Sequence, residues 1–254
     1  MIKLTPRLKM LAMEINEGET MADIGTDHGF LPIFLIQNKI SPYAIMADIS
    51  KGSLQKAEDN CKINLIPDKD RFDLRLGSGI QILKTGEVDA VVIAGMGGIL
   101  MTEILGYDID KSKSFKRIIL QPRSQIGFLR YWLYNNGFSI SKEQLVREGT
   151  NICEVLTVIP KEMAITRGMD SECVEYEFPH TLVDFKGELT LEYLSKNLKK
   201  EEFILSQMKK SKEKDYSKIR HQKYRVEYLN YLIEKIMERR KHNNEDKQIG
   251  SDPR

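Results

Sequence analysis

The stretch "MADIGTDHGFLPI", residues 21–33, decides the fold, because a short apolar run ends there in an acidic, glycine-containing turn and a second apolar run follows. Thr20 to Ile24 has the length and apolar content of a buried strand, and Phe30 to Gln37 has those of a helix. A strand, a tight turn and a helix in this order form the first half of a β-α-β unit, whose second strand lies parallel to the first.

Strand-like and helix-like segments continue to alternate through the first 160 residues. This alternation predicts a doubly wound, Rossmann-like α/β fold with about seven strands, covered by helices on both faces. Two final extended stretches have no helix between them, so the last strand is expected to run antiparallel. The strands after the first are predicted at Tyr43 to Ala47, Phe72 to Leu76, Val88 to Ala94, 115–122, 138–146 and 153–160.

The pattern changes to a heptad repeat beyond Pro160. Apolar residues occupy a and d positions from Leu191 to Met208 and again from Ile219 to Ile236, with Glu201 and Gln222 as polar exceptions at d. Two such helices joined by a short loop predict an antiparallel coiled-coil hairpin. The alternative is a pair of ordinary amphipathic helices packed on the α/β domain. The predicted divisions are an α/β domain over 1–160, a helical domain over 161–242 and a disordered tail over 243–254.

Composition excludes several classes of protein. A formal net charge of +2 at pH 7 indicates no particular partner, and the three cysteines lie far apart without CxxC spacing. A zinc site or a disulfide framework is therefore not expected. No apolar run is long enough to cross a bilayer, and no stretch of signal-peptide type follows the N-terminal basic residues. We expect a cytoplasmic monomer that binds neither a metal nor a membrane.

The turn after the first predicted strand lies where parallel sheets bind ligands, at the carboxyl end of a strand. Its glycines let the backbone approach a bound molecule, but Asp27 occupies the second glycine position of the dinucleotide fingerprint G-x-G-x-x-G. A carboxylate there repels a diphosphate and favours a cationic cofactor, and S-adenosylmethionine carries both an ammonium and a sulfonium. The alternative is a plain β-α loop, because Asp-x-Gly is a common turn sequence.

Two further loops are candidates for holding a nucleoside. Asp48 ends the second predicted strand, in "AIMADIS", and an acid there accepts hydrogen bonds from both ribose hydroxyls in folds of this type. Alternatively, Asp48 caps the next helix, although Ser50 is also suited to that role. The second loop, "LGSGI" at residues 76–80, follows the third strand, where methyltransferases with this kind of sheet hold the adenine ring.

The loop "AGMGG", residues 94–98, follows the fourth strand, and its three glycines indicate backbone close to a ligand. Methyltransferases that act on exocyclic amines often carry an Asp/Asn-Pro-Pro-aromatic tetrapeptide at this point, and this chain has none. An amine target is therefore disfavoured. A ring nitrogen such as adenine N1 stays open, because its lone pair lies in the plane of the ring and needs no general base to free it.

Positive charge is concentrated in the predicted hairpin. Between Lys196 and Lys241 there are 15 Lys/Arg and 7 Asp/Glu, with tyrosines interleaved. This pattern suits contact with RNA phosphates, although the flanks of coiled coils are commonly charged as well. Arg7, in the first predicted helix, is a further candidate for a contact with RNA. His28 either has a direct role, in which it lines the cofactor pocket or touches the target base, or is an ordinary loop histidine.

Five motifs followed by a basic helical hairpin resemble the bacterial TrmK family, which are tRNA adenine-22 N1-methyltransferases. The motifs are "ADIGTDHGFLPI", "ADIS", "RLGSGI", "VVIAGMGGILM" and "IILQPRSQIGFLRYWL", and the resemblance spans about residues 2–240. It implies a class I methyltransferase domain, S-adenosyl-L-methionine as the cofactor, and a C-terminal coiled coil that helps to engage tRNA. The implied reaction is methyl transfer to N1 of an adenine in tRNA.

The resemblance also implies roles for individual residues. Asp27 and His28 are its candidate catalytic residues. The implied cofactor-binding residues are Asp23, Gly25, Thr26, Asp27, His28 and Gly29 at the methionine side, Asp48, Ile49 and Ser50 at the ribose, Gly77, Ser78 and Gly79 at the adenine, and Ala94, Gly95 and Met96 at the reaction centre. The implied substrate-binding residues are Arg7, Gly97, Gly98, Gln121, Pro122 and Arg123.

This chain departs from the family pattern at two positions. Ser78 stands where an Asp is expected in the adenine loop, and Arg123 stands where an Asn is expected after Gln-Pro. Two other functions remain as alternatives to the methyltransferase. One is a nicotinamide-dependent oxidoreductase, which the missing glycine fingerprint disfavours, and the other is a non-catalytic RNA-binding protein with a methyltransferase-like domain.

Overall fold

A computed structural model describes residues 2–64, 69–161, 170, 172–185 and 188–249; the side chains of residues 69 and 241–249 are not described. The chain divides into two compact units, Met1–Glu172 and Cys173–Arg254. The sequence analysis places this division earlier, after residue 160. Residues 162–169 lie outside the described residues, and the assignment of functions to the two domains stays a prediction.

The first unit is built on a 7-stranded sheet with the strand order β3-β2-β1-β4-β5-β7-β6. The first five strands are mutually parallel, and β7 pairs antiparallel with both β5 and β6. The predicted fold class, with its antiparallel last strand, is confirmed. The strands are β1 (Met21–Ile24), β2 (Ala44–Asp48), β3 (Phe72–Leu76), β4 (Ala90–Gly97), β5 (Arg117–Ser124), β6 (Phe138–Glu148) and β7 (Asn151–Pro160).

Helices cover both faces of this sheet. On one face, buried side chains such as Leu11, Leu31 and Val92 form one apolar cluster. On the other face, Met101 and Leu129 pack with alternate residues of the same strands. The described helices of this unit are α1 (Pro6–Met13), α2 (Phe30–Gln37), α3 (Lys51–Ile63), α4 (Gly98–Gly106), α5 (Ile109–Ser114) and α6 (Ile126–Asn135).

The winding direction reverses between β1 and β4, which are neighbours in the sheet although two strands separate them in the chain. The carboxyl ends of these two strands therefore open onto a crevice that no crossover helix fills, and this is where open parallel sheets bind ligands. The turn at residues 25–29 and the loop at residues 94–98 lie at this point.

The second unit contains α7 (Val174–Glu177), α8 (Glu188–Lys210) and α9 (Tyr216–Ile249). The two long helices pack through Leu194, Leu229 and Ile236, as the heptad pattern predicts, so the hairpin is present. Leu232 is also fully buried although it lies outside the a and d positions, because residues 174–183 pack on that side of α9.

The helix α9 continues to Ile249, past Asn243, where the sequence analysis expects disorder to begin. No glycine or proline lies between Arg240 and Gly250 to end the helix. None of the helices in the described ranges is long and apolar enough to cross a membrane. Within those same ranges, no group of three or more His, Cys, Asp or Glu side chains is placed to hold a metal ion.

Candidate active site

The turn between β1 and α2 depends on two glycines with left-handed backbone. Gly25 has φ +79 and Gly29 has φ +68. A Cβ at Gly25 would lie 2.3 Å from the Cε atom of Met96, and one at Gly29 would lie 3.1 Å from the Cβ of Ala57. The sequence analysis attributes these glycines to close approach of a ligand. In the structure the left-handed backbone favours glycine at both positions, and Gly29 in addition packs closely against α3. Gly25 lines the cavity described next, so its role in ligand approach stays a prediction.

A cavity of about 400 Å³ opens at the carboxyl ends of β1, β4 and β5. This volume is within the range of roughly 300–1,000 Å³ that small-molecule sites occupy. The turn after β1 forms its floor, and α1, in which Arg7 is a predicted substrate contact, forms one wall. The cavity is lined by Thr5, Arg7, Leu8, Leu11, Asp23, Gly25, Thr26, Asp27, His28, Phe30, Leu31, Ala94, Gly95 and Arg123.

Asp23 is the buried carboxylate of this cavity. Its side chain accepts a hydrogen bond of 2.8 Å from Thr26 Oγ1, and only 7% of the residue is exposed. Burial raises the pKa of Asp23 from 3.8 to about 6, against the opposing effects of the Thr26 hydrogen bond and the positive charge of Arg7. Among the described residues Asp23 has no ion-pair partner within 4.0 Å. A cationic ligand would therefore supply a missing countercharge.

Asp27 differs from Asp23 in both exposure and partners. Its φ is 48, which is uncommon outside glycine, and its side chain is 57% exposed. The carboxylate lies 3.4 Å from Lys56 Nζ and 3.4 Å from His28 Nε2. The sequence analysis singles out Asp27 as the acid that favours a cationic cofactor. Although both acids line the cavity, the structure places Asp23 in the buried position and gives Asp27 a lysine neighbour.

Asp48 accepts hydrogen bonds from the backbone N–H groups of Asp27, at 3.2 Å, and Ser50, at 2.9 Å. The N-cap of α3 is Ser50, whose hydroxyl accepts from Ser53 N. Asp48 is therefore not the helix cap, so the alternative explanation for this acid is removed. The following residue, Ile49, is 77% exposed and gives an apolar surface beside Asp48.

The loop after β3 lies next to Asp48, because Gly77 N donates a 3.0 Å hydrogen bond to the Asp48 carbonyl. It does not line the cavity just described. Ser78 and Gly79 border a second cavity of about 260 Å³, together with residues of α4 such as Ile104. Gly77 has a packing role, since a Cβ there would lie 2.2 Å from Ile82 Cγ2. The predicted ribose and adenine positions are thus adjacent to each other and outside the larger cavity.

The glycines of the loop at residues 94–98 do not share one role. Ala94 and Gly95 line the larger cavity, and Gly95 has φ +77. Gly98 faces the start of α6, where a Cβ would lie 2.4 Å from the Gln125 carbonyl oxygen. Gly97 lies near Ser124 and Gln125 in the same way. Gly97 and Gly98 therefore join β4 closely to β5 and do not line the cavity, although the sequence analysis assigns them to the substrate.

Arg7 and Gln121 fasten α1 to the carboxyl end of the sheet. Arg7 Nη1 donates to Gln121 Oε1 at 3.2 Å, and the Arg7 backbone N–H donates to Glu148 at 3.2 Å. Gln121 is buried and donates to the Pro122 carbonyl at 2.9 Å. Arg7 also lines the cavity, whereas Gln121 and Pro122 support it from below. The hydrogen bond from Arg7 to Gln121 and the one from the Arg7 backbone to Glu148 therefore hold α1 beside the cavity.

Arg123 and Phe30 complete the mouth of the cavity. Arg123 is exposed and, in the part of the chain that the structure describes, it makes no hydrogen bond or ion pair. The Phe30 ring stacks on that of His28, with centroids 5.2 Å apart and an interplanar angle of 11°. The sequence analysis missed Phe30. The only signal in the sequence was its position two residues after His28, just beyond Gly29.

Comparison with known proteins agrees with this arrangement. A family model described as a methyltransferase domain matches residues 4–156. A tRNA (adenine(22)-N(1))-methyltransferase of Bacillus subtilis is 36% identical over 155 residues, which are 61% of this chain and 64% of that relative. The matched part thus spans less than two thirds of the relative's length.

Two solved structures are similar over nearly the whole chain. The B. subtilis m1A22 tRNA methyltransferase TrmK superposes with a TM-score of 0.81 at 29% identity, covering 92% of this chain and 100% of that one. M. capricolum TrmK in complex with S-adenosyl-homocysteine superposes with a TM-score of 0.76 at 26% identity, covering 92% and 99%. The resemblance inferred from the sequence motifs is confirmed.

Proposed function

Because this chain belongs to the methyltransferase domain family, we propose that it transfers a methyl group from S-adenosyl-L-methionine to N1 of an adenine in tRNA. The similar protein from B. subtilis is a tRNA (adenine(22)-N(1))-methyltransferase, and M. capricolum TrmK binds S-adenosyl-homocysteine, the product of the cofactor. The proposed cofactor is thus S-adenosyl-L-methionine, and position 22 of tRNA is the proposed target.

The observation that carries this proposal is the buried Asp23 carboxylate at the switch point of the sheet. Its pKa is raised to about 6 by burial, and it lacks a basic side chain within ion-pair distance among the described residues. A diphosphate beside it would be repelled, whereas an ammonium group would gain a buried countercharge. The chemistry of the cavity therefore fits a cationic nucleoside and not a dinucleotide.

Residues of the two adjoining loops complete the proposed cofactor site. Asp48 has its oxygens oriented by two backbone N–H groups and keeps further acceptor capacity for ribose hydroxyls. Ile49 offers an exposed apolar face for the adenine, with Gly77 to Gly79 on the neighbouring loop. Ser78 can accept or donate one hydrogen bond, so the adenine amino group would lose the charged acceptor that an Asp supplies.

When bound, S-adenosyl-L-methionine supplies a methyl group on a positively charged sulfur. The protein's task is to hold the target nitrogen in line with that methyl group, roughly 3 to 3.5 Å away. Adenine N1 already has an available lone pair, so positioning by the cavity walls and the loop at Gly95 replaces a general base. Asp27, at the edge of the cavity, would favour the positive charge that the base acquires.

We propose the hairpin of α8 and α9 as the surface that engages tRNA. The lysines near its tip, Lys209, Lys210, Lys212 and Lys214, are all exposed. Each phosphate contact releases counterions, so the contribution of such contacts depends strongly on salt. This binding would help to offset the few kcal/mol that unstacking a base costs. A tRNA-modifying enzyme of this kind would act in the cytoplasm, and we propose that it does so as a monomer.

Nucleoside mass spectrometry tests the proposed function directly. Unmodified tRNA is incubated with the protein and methyl-labelled cofactor, then digested and analysed. The label is expected in N1-methyladenosine, and a tRNA with guanosine at position 22 is expected to remain unlabelled. Label in N6-methyladenosine or in a methylated guanosine would refute the assignment of the target. Binding of NAD in place of S-adenosylmethionine, measured by calorimetry, would favour the oxidoreductase alternative.

A further inference from the structure

The mouth of the larger cavity carries a pair of stacked aromatic rings. The His28 side chain is 43% exposed and the Phe30 residue is 37% exposed, although Phe30 belongs to the otherwise apolar helix α2. The two rings are nearly parallel, at 11°, and both residues line the cavity. Partial exposure of one aromatic ring is ordinary, but here two stacked rings lie together on the wall of the cavity, where a ligand can reach them.

The cavity extends beyond the residues that would contact the methionine end of the cofactor. Its floor contains Asp23 and Gly25, but Asp48 and Ser78 do not line it, so the nucleoside end of the cofactor would lie outside. The cavity extends in the other direction, towards α1, the ring pair and Arg123. With the amino acid end of the cofactor beside Asp23, this end of the cavity is the space left for the second reactant.

We propose that His28 and Phe30 form a stacking surface that receives the target base after it leaves its RNA stack. The proposal rests on the proposed function and assigns to both rings a role in positioning the purine. A base extruded from RNA is commonly held by stacking on aromatic side chains, because its π-face is exposed once it is unpaired. The two rings are stacked on each other, so each keeps one outer face, and a purine would continue the stack on such a face. A flat π-face matches a purine better than an aliphatic side chain does.

Charges of both signs lie near this ring surface: Arg7 and Arg123 line the cavity, and Asp27 lies beside His28 with Lys56 as a second neighbour. The Asp27 carboxylate lies 3.4 Å from His28 Nε2, so a negative charge borders the ring surface. A methylated adenine carries a positive charge, and the face of an aromatic ring attracts a cation. This surface therefore binds the charged product ring at least as well as the neutral substrate, which is what lowers a barrier of this type.

Substitutions at the two rings can distinguish a stacking role of His28 from a role as a catalytic base. A base requires a titratable nitrogen, whereas a stacking surface requires only a planar ring. His28→Phe keeps the ring and removes both nitrogens, and His28→Asn keeps polarity and removes the ring. Phe30→Tyr and Phe30→Leu make the corresponding comparison at the neighbouring position.

The test measures kcat and KM for tRNA methylation in these four variants of the full-length protein. Loss of stacking on one base is expected to lower kcat/KM by roughly 5- to 150-fold in His28→Asn and Phe30→Leu. His28→Phe and Phe30→Tyr are expected to recover most of that loss, with the pH profile of His28→Phe unchanged from wild type. Phe128→Leu is the matched control, because Phe128 is 36% exposed but does not line the cavity.

Two further readouts make the outcomes distinguishable. Affinity for S-adenosylmethionine and thermal stability are expected to stay near wild type in Phe30→Tyr and Phe30→Leu, whereas a merely structural role would change both. At His28, which also lines the methionine side of the cavity, the readout is the difference in kcat/KM between His28→Phe and His28→Asn. If the wild-type protein methylates tRNA and Phe30→Leu has the same kcat/KM, the stacking surface is refuted and the proposed function is not. The same holds if His28→Phe is as impaired as His28→Asn. Wild-type protein that binds the cofactor and methylates no tRNA would overturn the proposed function itself.

Discussion

Two buried carboxylates, one in each unit, show what distinguishes a site from a structural contact. Asp23 in the first unit accepts one hydrogen bond from a hydroxyl and has a pKa raised to about 6 by burial. Glu201 in the second unit is as buried, but Gln222 donates to it at 2.6 Å and Arg225 Nε donates at 3.0 Å. Burial raises the pKa of Glu201, and these hydrogen bonds outweigh that effect and leave the pKa below its usual value.

The difference lies in where the compensating charge comes from. Glu201 receives it from within the protein, through Arg225, which also pairs with Glu177. Asp23 accepts a hydrogen bond, and Arg7 acts on it only from beyond ion-pair distance, so among the described residues most of the compensation of its charge is left to a ligand. Burial of a carboxylate therefore does not identify a binding site by itself, whereas burial without an internal cation beside an open cavity does.

The largest effect is expected from removing the cation that compensates Glu201. Arg225→Leu leaves Glu201 and Glu177 without their guanidinium and should destabilise the second unit by about 3–5 kcal/mol. Chemical unfolding followed by far-UV circular dichroism measures the loss. Arg220→Leu, at an exposed position of the same helix, is the control and should change stability little. Equal stability of the two variants would contradict the structural role of this network.

The opposite result is expected at Asp23, where the charge itself is unfavourable to the fold. Asp23→Asn keeps an acceptor for Thr26 and should stabilise the unliganded first unit by about 1–3 kcal/mol at pH 7.5. Unfolding followed by fluorescence of the single tryptophan, Trp132, reports on this unit. The same substitution should weaken the binding of S-adenosylmethionine. A variant that is less stable than wild type would contradict the account of Asp23.

The stability of the wild-type protein should also depend on pH with a defined sign. The pKa of Asp23 is about 6 in the folded protein and 3.8 for the unperturbed side chain, so the folded state binds more protons between these pH values. Its contribution to stability is therefore fully present below about pH 4 and is lost as the pH rises through 6. The difference in stability between wild type and Asp23→Asn should accordingly shrink as the pH is lowered from 7.5 to 5.

A smaller and more distributed effect is expected at the tip of the hairpin. Replacing Lys209, Lys210, Lys212 and Lys214 by Gln should raise KM for tRNA and reduce the slope of log affinity against log salt by about 1 for each phosphate that is no longer neutralised. The value of kcat and the affinity for the cofactor should not change. Four exposed basic residues of the first unit, Lys3, Lys9, Lys39 and Lys84, replaced in the same way, form the control. An unchanged salt slope would refute the assignment of this surface to tRNA.

Local patterns predicted most of the fold because each depends on residues close together in the chain. Thr5 caps α1 and Ser50 caps α3, and the periodicity located the strands to within a few residues. The insertion of β7 between β5 and β6 was not predicted, because strand order is set by packing between distant segments. Glu201 and Gln222 were recognised as polar heptad positions, but their pairing depends on the register of the hairpin.

The sequence likewise predicted which loops form the site but not the role of each residue within them. The loops after β1, β2 and β4 were identified because glycines and acids at strand ends carry a local signal. The roles within them were not, since burial distinguishes Asp23 from Asp27 and packing distinguishes Gly95 from Gly98. Phe30 was missed, because an apolar residue in an apolar helix gives no sign that its ring faces a cavity. Of the wall formed by α1, Arg7 was predicted and the apolar lining residues were not.

One measurement tests the central claim that Asp23 is the countercharge for a cationic cofactor. Calorimetric titration of S-adenosylmethionine across pH 5 to 8 should show wild-type affinity falling as the pH drops below about 6, with proton release on binding in that range. Asp23→Asn should bind more weakly and show neither effect. If the wild-type affinity did not change across this pH range, or if the variant bound as tightly as wild type, the account of this site would be wrong.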